Sequence, residues 1–229
     1  MHGLRETSMS LRQANIVYTD QKSVDLLYDL LEHFHETARR NGLFYVIAAG
    51  TLLGAVRHSG MIPWDTDADI VIQDVDAHVL TPLESDDFYL IQWWGGFKLC
   101  SRRGRPIDYE GQLAHPLFGL KPVTFPYVDL YPTVAGADGM FRYKSERAAD
   151  MWPQEAFPLG AFDHIVEVPF GPISLDSVVP EQAWRYLEAV YGPEWKSSIV
   201  KTYDHETDAY LKGERVPLTD FSCAAPNRV

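Results

Sequence analysis

The sequence predicts an α/β chain of the α+β kind, a mixed sheet flanked by helices with a smaller, irregular C-terminal part. Three observations carry this: one long stretch with helical apolar spacing, several short apolar or alternating runs of strand length, and a composition able to fill a core. Hydrophobic residues make up 46% and aromatics 13% of the chain, more apolar surface than a disordered chain carries. The 229 residues suit one domain spanning 1–229, with a core from about 23 to 195 and an extension over 196–229.

From Ser23 to Arg40, apolar residues at Val24, Leu27, Leu31, Phe34 and Ala38 step by three and four, placing one stripe on one helix face. Asn41-Gly42 stops this helix, since Gly enters the left-handed region without a Cβ penalty. The continuous apolar run LFYVIAA, 43–49, is a first buried strand. Gly50-Thr51 breaks it, and TLLGAVRH reads as a short helix over 51–58, ended by Ser59-Gly60. DADIVIQ, 67–73, is the second strand, with Asp67, Asp69 and Val71 on one face and Ala68, Ile70 and Ile72 on the other. The runs at 88–94 and 97–102 bracket Gly95-Gly96 as a hairpin. YVDLYPTVA, 127–135, is a third acidic strand with Tyr127, Asp129 and Tyr131 on one face. Short strands follow around 157–175, then a helix from Pro180 to just before Gly192, and loop or tail after about 205.

The net charge of -12 excludes an extended polyanion, because phosphate-backbone binding needs clustered Lys and Arg; nucleic acid is not an expected partner. Cys100 and Cys223 have no paired spacing, so neither a disulfide framework nor a zinc site is expected, and a reducing compartment fits. The first twenty residues lack an apolar signal core, and no segment approaches the roughly 18–20 apolar residues of a membrane span. A soluble, cytoplasmic protein is the expectation.

Asp67 and Asp69 at the head of a strand about to be buried are the informative feature. Burying charge without a partner costs several kcal/mol per ion, so a cation is expected there. Residues two apart on a strand lie about 6.6 Å apart at Cα, so both carboxylates can face one divalent ion or a pair, and Asp129 would complete the cluster. Oxygen-only ligands suit Mg²⁺ or Mn²⁺. The bland alternative is an acidic turn and an exposed strand edge. Against it, the Gly50-Thr51 turn supplies backbone N–H groups and a helix start where a phosphate can sit beside the metal.

The run GTLLGAVRHSGMIPWDTDADIVI resembles the signature of the LicD/fukutin family, a branch of the nucleotidyltransferase superfamily with a Gly-Thr or Gly-Ser turn, a GAxRHxGxIPWD run and a D-x-D strand. YVDLYP resembles its VDIFP-type strand and YLEAVYGPEW its YGxxW element, so the matches span about 45–195 in the right order. The resemblance implies a nucleotidyltransferase-like sheet, Asp67 and Asp69 as paired metal ligands, and Asp129 as a third ligand or as the base accepting a hydroxyl proton. It also implies that Gly50 and Thr51 cradle donor phosphate. The implied reaction moves a phosphoalcohol from a CDP-linked alcohol donor to a hydroxyl of a glycan or sugar acceptor, releasing CMP. A minimal catalytic module is the expectation, without the cysteine cluster and membrane anchor of some animal members.

For the neighbouring residues two readings stand at this point. Arg57 either contacts phosphate or pairs with the aspartates, and His58 either joins the substrate site or caps the helix. Asp65 lies at the turn, beside the ligands rather than among them, and Trp64 packs or walls the site. Lys98 contacts donor phosphate, with Arg102, Arg103 and Arg105 bordering the entrance, or all four belong to a solvated face. Trp93, Trp94, Tyr127 and Tyr131 stack on a base or sugar, or pack. Competing functions are a nucleotidyltransferase that releases pyrophosphate and an inactive binding module of the same fold. A D-x-D glycosyltransferase leaves the Gly-Thr turn without a role.

Overall fold

The computed structural model describes residues 16–200, 203–204, 209–210 and 215–227. It opens with α1 (Gln21–Asn41), whose start is held by the Asp20 carboxylate accepting the Ser23 N–H at 3.1 Å. The predicted stripe of Val24, Leu27, Leu31, Phe34 and Ala38 is fully buried. Gly42, at φ 65°, closes the helix in the left-handed conformation and donates its N–H to the Ala38 and Arg39 carbonyls.

β1 (Tyr45–Ile47) is shorter than the apolar run, because α2 (Ala49–His58) begins two residues earlier than the pattern suggests. The chain turns from strand to helix through Ala49, a non-glycine at φ 38°, a conformation costing roughly 1–2 kcal/mol for an L-residue. The Tyr186 hydroxyl accepts the Ala49 N–H at 3.2 Å and the Asp69 carbonyl accepts that of Ala48 at 3.1 Å, so surrounding structure holds the turn. Ser59 ends α2 at φ 58°, as the sequence predicts.

β2 (Ala68–Gln73), β3 (Phe88–Trp93), β4 (Gly96–Pro106), β5 (Gln112–Leu113), β6 (Thr124–Ala135), β7 (Met140–Tyr143) and β8 (Phe157–Pro158) join β1 in an eight-stranded sheet. Its main order is β1-β2-β6-β4-β3-β5, with β7 pairing β6 and β8. Only β2 and β6 run parallel, which makes the sheet mixed. β6 is central and buried from Thr124 to Thr133, as expected of a near-continuous apolar run. α1 packs against β4 and β6.

Between β7 and β8 lies α3 (Glu146–Met151), started by the Ser145 hydroxyl accepting the Ala148 N–H at 3.3 Å. A hairpin of β9 (Ile165–Phe170) and β10 (Ile173–Val178) lies against β1, and α4 (Pro180–Tyr191) packs on α2 and β10. The loop expected after residue 205 falls partly outside the described residues. Within them, Ser198–Ile199 pairs with Val216–Pro217, Tyr203–Asp204 pairs with Ala209–Tyr210, and Ala224 bridges Met61. The C-terminal segment therefore packs on the body of the protein. Among the described residues no helix is long and apolar enough to cross a membrane.

Candidate active site

Strand register assembles the acidic residues. Asp69 on β2 stands opposite Asp129 on β6, and Asp129 stands opposite Lys98 on β4. Adjacent strands lie about 4.8 Å apart, so the three side chains stand abreast on one face, and Asp67 joins them two residues before Asp69. Ligand oxygens of Asp67, Asp69 and Asp129 lie within 4.8 Å of one another. Asp67 and Asp129 are buried at 6% and 3% exposure, and Asp69 is half-buried.

Burial is the first reason the Asp67 and Asp69 carboxyls rise well above the usual carboxylate range; the charges of Asp69, Asp65 and Asp129 add to it at Asp67, and those of Asp129, Glu155 and Asp65 at Asp69. One built-in cation opposes this. Lys98, 2% exposed, places Nζ 2.6 Å from Asp129 Oδ1 inside a cage of the Tyr127, Trp93 and Tyr109 rings, at 3.8, 4.2 and 5.0 Å. One ammonium against three clustered carboxylates leaves negative charge over. An all-oxygen donor set of this size and charge fits a hard divalent cation such as Mg²⁺ or Mn²⁺.

The strand-to-helix turn is stitched to the same aspartate. Gly50 donates its N–H to Asp69 Oδ2 at 3.2 Å, and the Thr51 hydroxyl accepts the Asp69 N–H at 2.8 Å. Gly50 packs close to the carboxylates: a Cβ there would come within 2.7 Å of Asp65 Oδ2, which would have to shift, and 3.5 Å of Asp69 Oδ2. The carboxylates floor a cavity of about 820 Å³ whose walls include Gly50, Arg57, Trp64, Lys98, Trp152 and Glu155. That volume lies within the ~300–1,000 Å³ of small-ligand sites.

Residues 42–176 match the LicD/FKTN/FKRP nucleotidyltransferase domain. The chain belongs to this family. Among curated proteins, it is 29% identical over 200 residues to an uncharacterized protein of Rickettsia typhi, covering 84% of this chain and 57% of that one. It is 31% identical over 104 residues to an uncharacterized protein of Rickettsia prowazekii, covering 44% and 39%. It is 45% identical over 102 residues to the lipopolysaccharide cholinephosphotransferase LicD of Haemophilus influenzae, covering 39% and 38%. The matched stretches thus span between 38% and 57% of these relatives' lengths.

Within this LicD-family domain the structure brings Asp67, Asp69, Asp129, Gly50, Arg57, Trp64 and Lys98 to one cavity. Thr51 and His58 are not on its wall; both are 4% exposed and occupied elsewhere. Arg57 donates from Nε to His58 Nε2 at 3.0 Å and from an Nη to the Trp195 and Ser198 carbonyls at 2.7 and 3.1 Å. It ties α2 to the chain after α4. With Nε2 accepting, the His58 proton is assigned to Nδ1, which donates to the Ser222 carbonyl at 2.8 Å. Trp64 packs edge-on against Tyr18 and His58, at 5.8 and 5.5 Å between ring centres.

Burial first, then the Arg57 charge, lowers His58 from 6.5 to about 4. A folded-state value below the unfolded one means that the stabilisation from the neutral ring is complete above pH 6.5 and is lost as pH falls towards 4. The melting-temperature difference between the wild type and His58→Gln is therefore expected to shrink across that window. A difference constant from pH 7 to pH 4 would refute it.

Arg102, Arg103 and Arg105 do not border the cavity. Arg103 pairs with Asp29 at 2.8 Å, while Arg102 and Arg105 lie over the Tyr89 and Phe125 rings at 5.1 and 4.7 Å. Sequence reasoning missed Glu155, Arg147 and Trp152, which reach the wall from α3 and the loop after it. Trp152 stacks on Trp94 at 5.8 Å and 20°, and the Arg147 guanidinium lies 4.2 Å over Trp94. No periodicity or short motif in ERAADMWPQEAF announces them.

Proposed function

We propose that this protein is a metal-dependent phosphotransferase that moves a phosphoalcohol from a CDP-linked donor to a hydroxyl of a glycan, releasing CMP. The observation that carries it is the cluster of Asp67, Asp69 and Asp129 flooring a cavity of nucleotide-donor size, next to the Gly50 turn. The printed activity of the Haemophilus relative, a cholinephosphotransferase, supports the same reaction class.

Asp67, Asp69 and Asp129 hold the divalent ion. When bound, Mg²⁺ or Mn²⁺ supplies positive charge to the phosphoryl group in transit. The chain positions the reactants, which is most of what a protein contributes to phosphoryl transfer. Lys98 holds Asp129 in place from the far side, and Thr51 holds the Asp69 backbone. The start of α2 favours negative charge at the donor diphosphate, whereas the Gly50 N–H, expected from the sequence to cradle phosphate, is taken by Asp69 Oδ2. Arg57 and Trp64 wall the donor end, Arg57 fixed by the carbonyls of Trp195 and Ser198. His58 acts behind this wall by orienting Arg57. Both cysteines are free, which supports placing the reaction in a reducing cytoplasm.

The test is CMP release from CDP-choline, CDP-ribitol and CDP-glycerol with Mn²⁺ or Mg²⁺. Metal-dependent CMP from one of them is the expected result, and it names the donor. Pyrophosphate from a nucleoside triphosphate, with no CMP from any CDP-alcohol, would replace this reading by nucleotidyl transfer.

A further inference from the structure

The acceptor hydroxyl must lose its proton as it attacks, and two of the three clustered aspartates are already engaged within the protein. Asp129 Oδ1 is engaged by Lys98 at 2.6 Å, and Asp69 Oδ2 accepts the Gly50 N–H. A carboxylate bonded to an ammonium or a metal has its basicity spent on that partner. A further carboxyl shares the cavity. Glu155, half-buried, reaches the wall from the loop between α3 and β8, off the strands that carry the aspartates.

Its position is held. The Tyr143 hydroxyl donates to Glu155 Oε2, and Tyr143 stacks on Tyr131 at 4.6 Å and 29°. Tyr131 lies two residues beyond Asp129 on β6, hence on the same face. Glu155 lines the same cavity as Asp67, Asp69 and Asp129. Among the described residues, the hydrogen bond from Tyr143 engages one oxygen of this carboxyl, Oε2.

We propose that Glu155 is the proton acceptor of the transfer, acting from outside the metal-binding set. This rests on the phosphotransferase reading above. The acceptor oxygen forms a bond to the β-phosphorus of the CDP-alcohol as the bond from that phosphorus to the bridging oxygen breaks. The hydroxyl proton passes to Glu155, and CMP departs with the electron pair. Burial raises the Glu155 carboxyl to about 7, where a general base serves well at neutral pH.

The purely architectural alternative is that Glu155 only anchors the loop after α3 to β7 through Tyr143. Glu155→Gln separates the two, because its amide oxygen can still accept from Tyr143 but cannot take a proton. The full chain is titrated with Mn²⁺ by calorimetry, and CMP release is then measured against donor concentration. Expected are Mn²⁺ affinity and donor KM within about twofold of wild type and a kcat lower by roughly 10²-fold or more. An unchanged kcat overturns the assignment, and so does loss of Mn²⁺ binding, which would make Glu155 a ligand. Should Glu155→Gln fail to fold, Glu155→Asp carries the test: reduced kcat at unchanged Mn²⁺ affinity supports the role, and unchanged kcat overturns it. A wild-type chain that binds Mn²⁺ but neither binds nor turns over any CDP-alcohol removes the underlying reading, and shows this before any variant is made.

Discussion

Asp69→Asn is expected to lower metal-dependent CMP release by about 10³-fold or more, the scale lost when preorganised charge stabilisation is removed from a reacting centre. The substitution keeps an oxygen to accept the Gly50 N–H, so the strand-to-helix turn survives. Metal-free protein should at the same time melt higher than wild type. Asp69 is raised above its unfolded value of 3.8 by burial and then by Asp129 and Glu155, so its ionisation opposes folding. The sign follows from the raised value: the wild type is unpenalised below pH 3.8 and loses stability as pH rises from there towards the folded-state value. The advantage of Asn is therefore expected to grow with pH, at about 2–4 °C for each kcal/mol relieved in a chain of this size. Saturating Mn²⁺ should reverse the ranking, since an ion that binds only the folded wild type stabilises it by linkage. Thermal melts from pH 5 to 8, with EDTA or Mn²⁺, read all three effects. Full turnover in Asp69→Asn, or in Asp67→Asn beside it, would end the metal-site assignment.

Lys98→Met is expected to destabilise the metal-free protein by about 3–5 kcal/mol, the cost of removing one partner of a buried ion pair. Solvent barely screens this pair, because the side chains of Lys98 and Asp129 are 2% and 5% exposed. Met fills much of the space among Trp93, Tyr109 and Tyr127 but leaves the Asp129 charge opposite a thioether. The double variant Lys98→Met/Asp129→Asn removes both charges and should recover most of the loss. Urea unfolding of the two single variants and the double closes this cycle. A loss under about 1 kcal/mol in Lys98→Met would mean that the pair behaves like an exposed one.

These two expectations differ in how far they were legible in the sequence. Asp67 and Asp69 are two residues apart on one strand, and strand geometry alone puts them on one face. Their charge on an otherwise apolar strand already asks for a cation. Lys98 carried two readings, phosphate contact or solvated loop, and the structure places it in a third setting, paired with Asp129 within a ring cage. The aromatic residues divided in a similar way. Tyr127 and Trp93 pack around the ammonium, whereas Trp94 stacks on Trp152 at the cavity wall.

Elements with strong local signals came out close to expectation. α1 has its five-residue apolar stripe and a glycine stop, and α4 runs from Pro180 to the residue before Gly192. β1 is shorter than LFYVIAA because Ala49 is held at positive φ by Tyr186, a residue 137 positions away that no local window contains. α3 is six residues long and buries only Ala148, too little apolar spacing to register. The walls it contributes to the cavity were invisible for the same reason.

By itself the sequence determined where α1, α4 and the acidic strands run, that Asp67 and Asp69 share a strand face, and that Gly50 stands at a turn beside them. These follow from backbone periodicity and side-chain direction, which are local properties of the chain. The tertiary structure alone decided that Asp129 stands abreast of Asp69, that Lys98 stands abreast of Asp129, that Arg57 is bound to the carbonyls after α4, and that Glu155 looks into the same cavity. Those neighbours come from strand register and from loops packed across long stretches of chain. Register is set by the summed burial of whole strands, so no short motif encodes which residue will face which.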